Sequence, residues 1–329
     1  MASPSTAITR FELGTTFEEF SIRMNQMGYI GASVLRPRVV GKNAADVGKV
    51  PLKQLLRSRS TARASGAGYN RSDFKFDKFA YSVLEYGAEE VLDDNQLAVY
   101  GDILDAEEIH SQRAEDAVLQ EYERDVAAAV YDTGVWTGES LATSVTNEWD
   151  DYSNATPIND VMAAIEKVAS GSGLEANALV VNRKQLRNLL QCDQIIDRVK
   201  FTQTPTASMI RNALAALFDL PHILVAGGFK NIANTGQDAD LSRIWSDEHA
   251  MVCRIAETDD PREACLGRTF IWDGDGPGAV GDGGKLAVIM EEYREEKVRG
   301  SVMRARNNRD IVVMYPQAGH LLSNITTTA

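Results

Sequence analysis

The chain has 329 residues, of which 44% are hydrophobic and 25% charged, proportions that are ordinary for a folded globular protein. These proportions exclude a disordered, collagen-like or coiled-coil protein, and no run of about 18 apolar residues predicts a transmembrane helix. Residues 1–20 lack the apolar core of a signal peptide, and 3 scattered cysteines are too few for a disulfide framework. We therefore expect a protein of a reducing cytoplasm.

The net charge of −13 is distributed unevenly along the chain. Residues 1–80 carry 13 Lys and Arg against 6 Asp and Glu, whereas residues 81–329 carry 21 against 41. A basic segment joined to an acidic body is typical of an arm that binds nucleic acid or an acidic partner. If copies of the chain assemble, the acidic body of another copy is such a partner. A flexible, solvated segment is the alternative.

The N-terminal part of the chain predicts an arm and a long loop. Its first 50 residues have weak hydrophobic periodicity, with one short helix predicted over 15–27. Residues 57–72 are rich in Ser, Gly and Arg, which is typical of a mobile loop. Alternating apolar residues over 74–83 predict a strand, so the basic loop is expected to be a long hairpin extending from the body. Arginines beside aromatic residues also suit nucleic acid, but the acidic body would repel a polyanion.

Residues 105–131 form the clearest predicted helix. Its apolar positions recur at i, i+4 and form one stripe: Ala114, Val118, Tyr122, Val126 and Val130. Acidic residues occupy the rest of the surface: Glu107, Glu108, Glu115, Asp116, Glu121, Glu123 and Asp125. At about 1.5 Å per residue the helix would span about 40 Å, long enough to form a spine for other elements. Residues 132–155 are a polar connection that predicts a boundary.

An α/β pattern follows. Thr156 and Pro157 predict the start of a helix that ends at Gly171 and Gly173. Its core stripe is predicted to be Ile158, Val161, Met162, Ile165 and Val168. Strand 178–181, a helix capped by Asn182, helix 209–218 and strand 222–226 come next. The remainder predicts strands over 251–255, 268–272, 286–290, 298–305 and 311–315.

The motifs that carry chemistry elsewhere are weak here. Residues 276–281 match G-x-G-x-x-G, but a dinucleotide site needs a helix directly after the glycines, and this sequence continues with Asp-Gly-Gly and a strand. Asp273 and Asp275 hint at calcium without the Glu of an EF-hand loop. The histidines and cysteines lack metal-ligand spacing, and there is no nucleophile elbow. We expect a structural role, with no catalytic residue, metal or cofactor.

Four segments carry a resemblance to a known family. They are FAYSVLEYGAEE at 79–90, ALVV at 178–181, LAALFDLP at 214–221 before HILVA at 222–226, and VMRAR at 302–306 before DIVVMYP at 310–316. In this order, after a basic arm and an Arg/Gly/Ser hairpin, they resemble the major capsid proteins of tailed phages, which have the Hong Kong 97-type fold. The resemblance covers most of the chain and rests on layout and a loose pattern.

The resemblance implies an α+β capsid fold in five parts. These are an N-terminal arm over 1–54, an extended loop over 55–88, a peripheral domain over 89–154 with its spine helix over 105–131, an axial α/β domain over 155–290 and a return to the peripheral domain over 291–329. It also implies a non-enzymatic virion protein that self-assembles into hexamers and pentamers, forming the icosahedral shell around the double-stranded DNA genome of a bacteriophage.

The implied partners are other copies of the chain, a portal and, as a further candidate, a cement or decoration protein. Because the sequence reaches the arm directly from Met1, a separate scaffolding protein is expected. DNA would be enclosed without sequence-specific binding, no membrane is involved, and assembly would take place in the host bacterial cytoplasm. Two alternatives stay open: an encapsulin compartment shell, and a soluble nucleotide-binding α/β enzyme that uses the glycine loop.

The extended loop is the expected subunit interface. Its candidate contact residues are Arg57, Arg59, Arg63, Arg71, Phe74 and Phe76. Some members of the family join subunits through a Lys–Asn isopeptide bond promoted by an acid. The candidates for such a crosslink here are Lys75 and Lys78 in the loop, Asn307 and Asn308 near the return, and Asp310.

Overall fold

A computed structural model describes residues 8–9, 28–49, 51, 54, 56–71, 75–100, 106–199, 207–260, 262–274, 286 and 288–327. Phe74, the glycine motif at 276–281, Asp275 and the helix predicted over 15–27 lie outside the described residues.

The helices within these ranges are α1 Gly31–Val34, α2 Asp94–Tyr100, α3 Ala106–Val130, α4 Pro157–Ser172, α5 Arg183–Leu189, α6 Asp193–Val199 and α7 Ala207–Phe218. The strands are β1 Ile8–Thr9, β2 Pro37–Val40, β3 Ala44–Lys49, β4 Asp77–Ser82, β5 Leu84–Asp93, β6 Ala142–Ser144, β7 Ala178–Asn182, β8 His222–Ala226, β9 Phe229–Asn231, β10 Leu241–Arg243, β11 Ala250–Cys253, β12 Gly267–Trp272, β13 Ile289–Glu295, β14 Gly300–Val313 and β15 Gly319–Ser323.

The longest strand, β14, organises the first sheet. It pairs antiparallel with β5, β12 and β13, while β1 and β2 extend the sheet at its two edges. Helix α3 packs across β5 and β14 through the predicted stripe, whose five residues are all buried. Burial of one apolar face against the sheet is what stabilises a helix of this length.

A second sheet has the strand order β6-β15-β11-β7-β8. Its strand β7 is buried at every position, which explains its continuous apolar sequence, since a strand covered on both faces does not alternate. Helix α4 packs against β11 and β15 and ends at Gly173, whose φ of 72° is the left-handed conformation that favours glycine. Asn182 caps α5, as predicted, and it does so in a capping box with Gln185.

The long hairpin is confirmed. Strands β3 and β4 pair antiparallel, with Lys49 opposite Asp77, so residues 50–76 connect the two strands. Tyr81 and Phe79 stack on Phe270 of the first sheet, with ring centroids 4.7 and 6.0 Å away. The base of the hairpin therefore shares a small core with the body.

Several local predictions differ from the structure. Met162 is 40% exposed, and Ala164 takes its place in the core, because the buried face of α4 follows positions 161, 164 and 168. The Thr156 side chain makes no capping hydrogen bond; the Gln194 side chain instead accepts the Ile158 N–H at 2.9 Å.

The C-terminal strands also differ. The strand predicted over 286–290 is Ile289–Glu295, because pairing with β14 sets its length. Those predicted over 298–305 and 311–315 are one continuous strand. The intervening polar segment stays in the sheet because buried Asn307 and Arg309 find hydrogen-bond partners there. Strand β5 was not predicted; only one of its ten positions, Leu92, is buried, so its sequence lacks a strong apolar alternation.

Candidate functional site

The tip of the long hairpin is exposed at every residue from 57 to 71. Local contacts order it: the Arg63 Nε–H donates to the Ala67 carbonyl at 2.6 Å, and the Asn70 side-chain amide donates to the Ser60 carbonyl at 2.9 Å. The Arg63 guanidinium also lies 4.7 Å from the centre of the Tyr69 ring. The tip is thus held by polar and cation–π contacts and contributes no buried core of its own.

Three of the four predicted loop arginines line an open groove of about 580 Å³ at this tip. Its lining consists of Arg57, Ser58, Arg59, Ser60, Thr61, Tyr69, Asn70 and Arg71. Guanidinium groups present several N–H donors in a planar fork that matches carboxylate oxygens. The groove is therefore suited chemically to acidic side chains. Arg63 lies outside the lining, and Phe76 is 74% exposed.

Charged residues connect the loop to the body at the end of β3 and the start of β4. The Lys49 ammonium donates to the Met314 carbonyl at 3.1 Å and lies 3.4 Å from the Asp77 carboxylate. The Lys78 backbone N–H, followed by the Lys49 charge, holds the pKa of Asp77 below its usual value. Sequence analysis did not identify Lys49 or Asp77, although opposite charges flanking a predicted hairpin loop were an available signal.

The crosslink candidates have different surroundings. Asn307 is 2% exposed, and its side-chain oxygen accepts a hydrogen bond from Arg309, so it is enclosed in this conformation. Lys78 pairs with Asp46 at 2.8 Å, and Lys75 lies exposed before β4. The structure brings Asp310 to the hairpin, where its carboxylate accepts the Ser82 N–H at 2.8 Å. Asn308 is half-buried on the opposite face of β14 from Asn307.

A second open groove, of about 450 Å³, lies between β6 and α4. It contains His320, which is 1% exposed and has both ring nitrogens engaged, by the Thr143 hydroxyl at 2.9 Å and by the Ser140 carbonyl at 3.3 Å. Burial lowers the pKa of His320, so the neutral ring has a structural role here.

The described residues include no cluster of three or more His, Cys, Asp or Glu side chains placed to hold a metal ion. None of the helices in the described part of the chain is long and apolar enough to cross a membrane. The three cysteines are buried free thiols, and burial raises the pKa of Cys192 to about 11 and of Cys253 to about 12.

No protein-family model and no curated protein matches the sequence. Solved structures do match. The chain is similar to the crystal structure of a phage-related protein from Bordetella bronchiseptica RB50, with a TM-score of 0.70 and 17% identity, over 98% of this chain and 100% of that one. It is also similar to the capsid of cyanophage P-SCSP1u, with a TM-score of 0.57 and 11% identity, over 98% and 90% of the two chains.

A third similar structure is the capsid of a native GTA particle, with a TM-score of 0.56 and 14% identity, over 91% of each chain. At these identities the likeness shows that the folds are similar, and it covers at least 91% of this chain in each of the three comparisons. The chain therefore has the α+β, Hong Kong 97-type fold of tailed-phage capsid proteins, as the sequence resemblance predicted.

Proposed function

We propose that this chain is the major capsid protein of a tailed phage, a non-enzymatic subunit that self-assembles into hexamers and pentamers of an icosahedral head. The observation that carries the proposal is the exposed, arginine-lined loop, which projects from a body with the capsid fold. Ordering a chain segment costs about 1–2 kcal/mol per residue. A loop without a core of its own recovers that cost by contact with another copy.

Charge supports a second copy as the partner of the loop. Residues 81–329 carry 41 acidic against 21 basic side chains, so the body of a neighbour offers the carboxylates that the groove arginines would bind. Complementary charge accelerates encounter and selects the register of the contact. The same negative charge keeps the shell from adhering to packaged DNA, which is enclosed without sequence-specific contacts in this proposal.

The proposed division into arm, loop, peripheral domain, axial domain and return keeps the boundaries given above. The hairpin that carries the loop begins at Ala44, so the last part of the arm segment forms the base of the loop. In this proposal the peripheral domain and the return include α3, the second half of β5, most of β13 and all of β14, and the axial domain includes β7, β8 and β11 of the second sheet. Strand β12 of the first sheet lies within the axial range, whereas β6 and β15 of the second sheet lie within the peripheral and return ranges. A portal, a separate scaffolding protein and a cement protein complete the proposed partners, with the virion as location and the host cytoplasm as the place of assembly.

The proposal is tested by negative-stain electron microscopy and analytical sedimentation of the protein expressed alone and with any neighbouring scaffold gene. Closed shells, or free hexamers and pentamers, are expected. A monomer or dimer under both conditions would contradict the proposal and direct attention to nucleotide binding by the glycine loop. Shells that enclose a protein cargo instead of DNA would identify an encapsulin.

Covalent crosslinking is a separate part of the proposal. The side-chain amine of Lys75 or Lys78 in one copy would displace ammonia from the side-chain amide of Asn307 or Asn308 in another, forming an isopeptide bond, with Asp310 as the acid that promotes it. Crosslinked particles would give multimer ladders on a denaturing gel after boiling. A single band near the chain mass of 36.0 kDa from mature particles would exclude crosslinking and leave the capsid assignment intact.

A further inference from the structure

A buried carboxylate on the long helix α3 joins this helix to two other parts of the chain. Glu123 of α3 is 1% exposed. One of its oxygens accepts the Ile30 backbone N–H at 2.8 Å and the Trp245 indole N–H at 2.6 Å, and the other accepts the Gly31 backbone N–H at 2.8 Å. Burial raises the pKa of Glu123, and these three donors oppose that rise. Hydrogen bonds to a charged acceptor are among the strongest in proteins.

The first part joined is the arm junction, which we define as residues 28–31 and which continues through α1 into β2. Two glycines permit its close approach. Gly28 has a φ of +76°, and a Cβ there would lie 2.8 Å from the Gly227 nitrogen. A Cβ on Gly31 would lie 2.7 Å from a Glu123 oxygen. The Gly227 N–H also donates to the Gly28 carbonyl at 2.9 Å, so the junction is bound on two sides.

The second part joined is the loop before β11 in the second sheet. Trp245 is 1% exposed and packs edge-on against Tyr131 at the end of α3, with centroids 5.2 Å apart. Its carbonyl accepts a hydrogen bond of 3.3 Å from Asn182, the cap of α5. Movement of the second sheet relative to α3 would therefore break the bond between Trp245 and Glu123.

We infer that Glu123 is a positioning residue for assembly: its carboxylate holds the arm junction against α3 and couples that junction to the orientation of the second sheet. The inference rests on the proposed shell function. A loose junction would let the second sheet take many orientations relative to α3, and copies with arbitrary orientations would not close into one regular shell. The side-chain amide of Gln cannot replace the carboxylate, because its NH2 group would take the place of one of the two accepting oxygens. That NH2 group would then point at one or two N–H donors and could accept no hydrogen bond from them.

The test compares wild type with Glu123→Gln and with Glu115→Gln as a matched control. Glu115 lies on the same helix and is 4% exposed, and one of its oxygens has no hydrogen-bond partner in the described structure. Hydrogen–deuterium exchange of the free subunit is measured first. We expect Glu123→Gln to accelerate exchange of the Ile30 and Gly31 amides at least about tenfold, the effect of losing one such bond, and Glu115→Gln not to accelerate it.

Particle morphology is measured second. We expect Glu123→Gln to yield open or irregular assemblies and Glu115→Gln to yield shells of wild-type diameter. Normal exchange and normal shells from Glu123→Gln would overturn the inference, as would faster exchange with unaltered shells, which would mean that the carboxylate only stabilises the fold. If wild type does not assemble, the proposed function fails, while the exchange measurement still tests the junction.

If Glu123→Gln does not fold, Trp245→Phe tests the same inference, because this substitution removes only the indole N–H that donates to Glu123. We expect faster exchange over 241–246, an unchanged arm junction and a broader distribution of particle diameters. Wild-type exchange over 241–246 together with wild-type diameters would overturn the inference.

Discussion

Arg309 is buried in the first sheet, and its removal should destabilise the subunit strongly. The side chain is 1% exposed and connects β14 to α3 through an ion pair of 2.8 Å with Asp125. Its guanidinium lies 3.9 Å from the centre of the Tyr86 ring and 5.4 Å from that of Tyr122. Arg309→Ala would break all these contacts and leave Asp125 without this cation.

The expected loss follows from these contacts. A hydrogen bond to a charged group contributes about 1.5–3 kcal/mol, and a desolvated cation–π contact about 1–2 kcal/mol. Part of this loss of stabilising free energy is offset. The Arg309 Nε has no hydrogen-bond partner in the described structure, and the cost of burying it without one disappears in the variant. We expect the free energy of unfolding to fall by about 2–4 kcal/mol.

The assay is equilibrium unfolding in urea, monitored by tryptophan fluorescence. Arg304→Ala is the matched control: Arg304 lies on the same strand and pairs with Glu89 at 2.7 Å, but its side chain is 35% exposed. We expect the control to cost at most about 1 kcal/mol. Equal losses for the two variants would refute the reasoning, because burial is the property that separates them.

Three further predictions concern pH, a helix cap and assembly. Burial raises the pKa of Glu115 from 4.5 to about 7, so the stabilising contribution of its bound proton is complete below about pH 4.5 and is lost as the pH rises through about 7. In urea unfolding, Glu115→Gln should therefore match wild type at about pH 4.5 and exceed its free energy of unfolding by roughly 2–3 kcal/mol at about pH 8. A difference in free energy that does not change with pH would contradict this prediction. Asn182→Ala removes the cap of α5 and a 2.6 Å bond to Asp247 and should cost about 2 kcal/mol in thermal unfolding; a loss under about 0.5 kcal/mol, the range of a surface substitution, would show that the cap is dispensable. Reversal of Arg57 and Arg71 to Glu should abolish particles in electron micrographs while the circular dichroism spectrum stays that of wild type, and normal particles would remove these arginines from the interface.

The assembly prediction has a charge-matched control. Arg187→Glu with Arg262→Glu makes the same change in net charge on exposed residues outside the loop. Because the two double variants differ only in where the charge is reversed, particles from the control and none from the loop variant would locate the effect in the loop.

Elements with a strong local signal were predictable from the sequence. The i, i+4 stripe from Ala114 to Val130 predicted a helix, because this spacing places apolar side chains on one helical face, and the predicted bounds of 105–131 differ from those of α3 by one residue at each end. The capping box of Asn182 and Gln185 is local for the same reason, since its two partners are three residues apart. The basic loop was predictable from its composition, as a segment too polar to form a core, and the strand that follows it was predictable from alternating apolar residues.

Tertiary structure decided where the polar side chains of those elements lie. Glu115 and Glu123 belong to an acidic series that predicts only a polar helix surface, yet both are buried. Glu123 bonds to Ile30, 93 residues away in the chain, and Arg309 bonds to Asp125, 184 residues away. Local periodicity carries no information about such partners, because the free energy of a buried charge depends on which donors and rings the completed fold brings to it. The sequence therefore determined the elements with a strong local pattern and the basic loop, and only the packing of two sheets against α3 determined which charged residues hold them together.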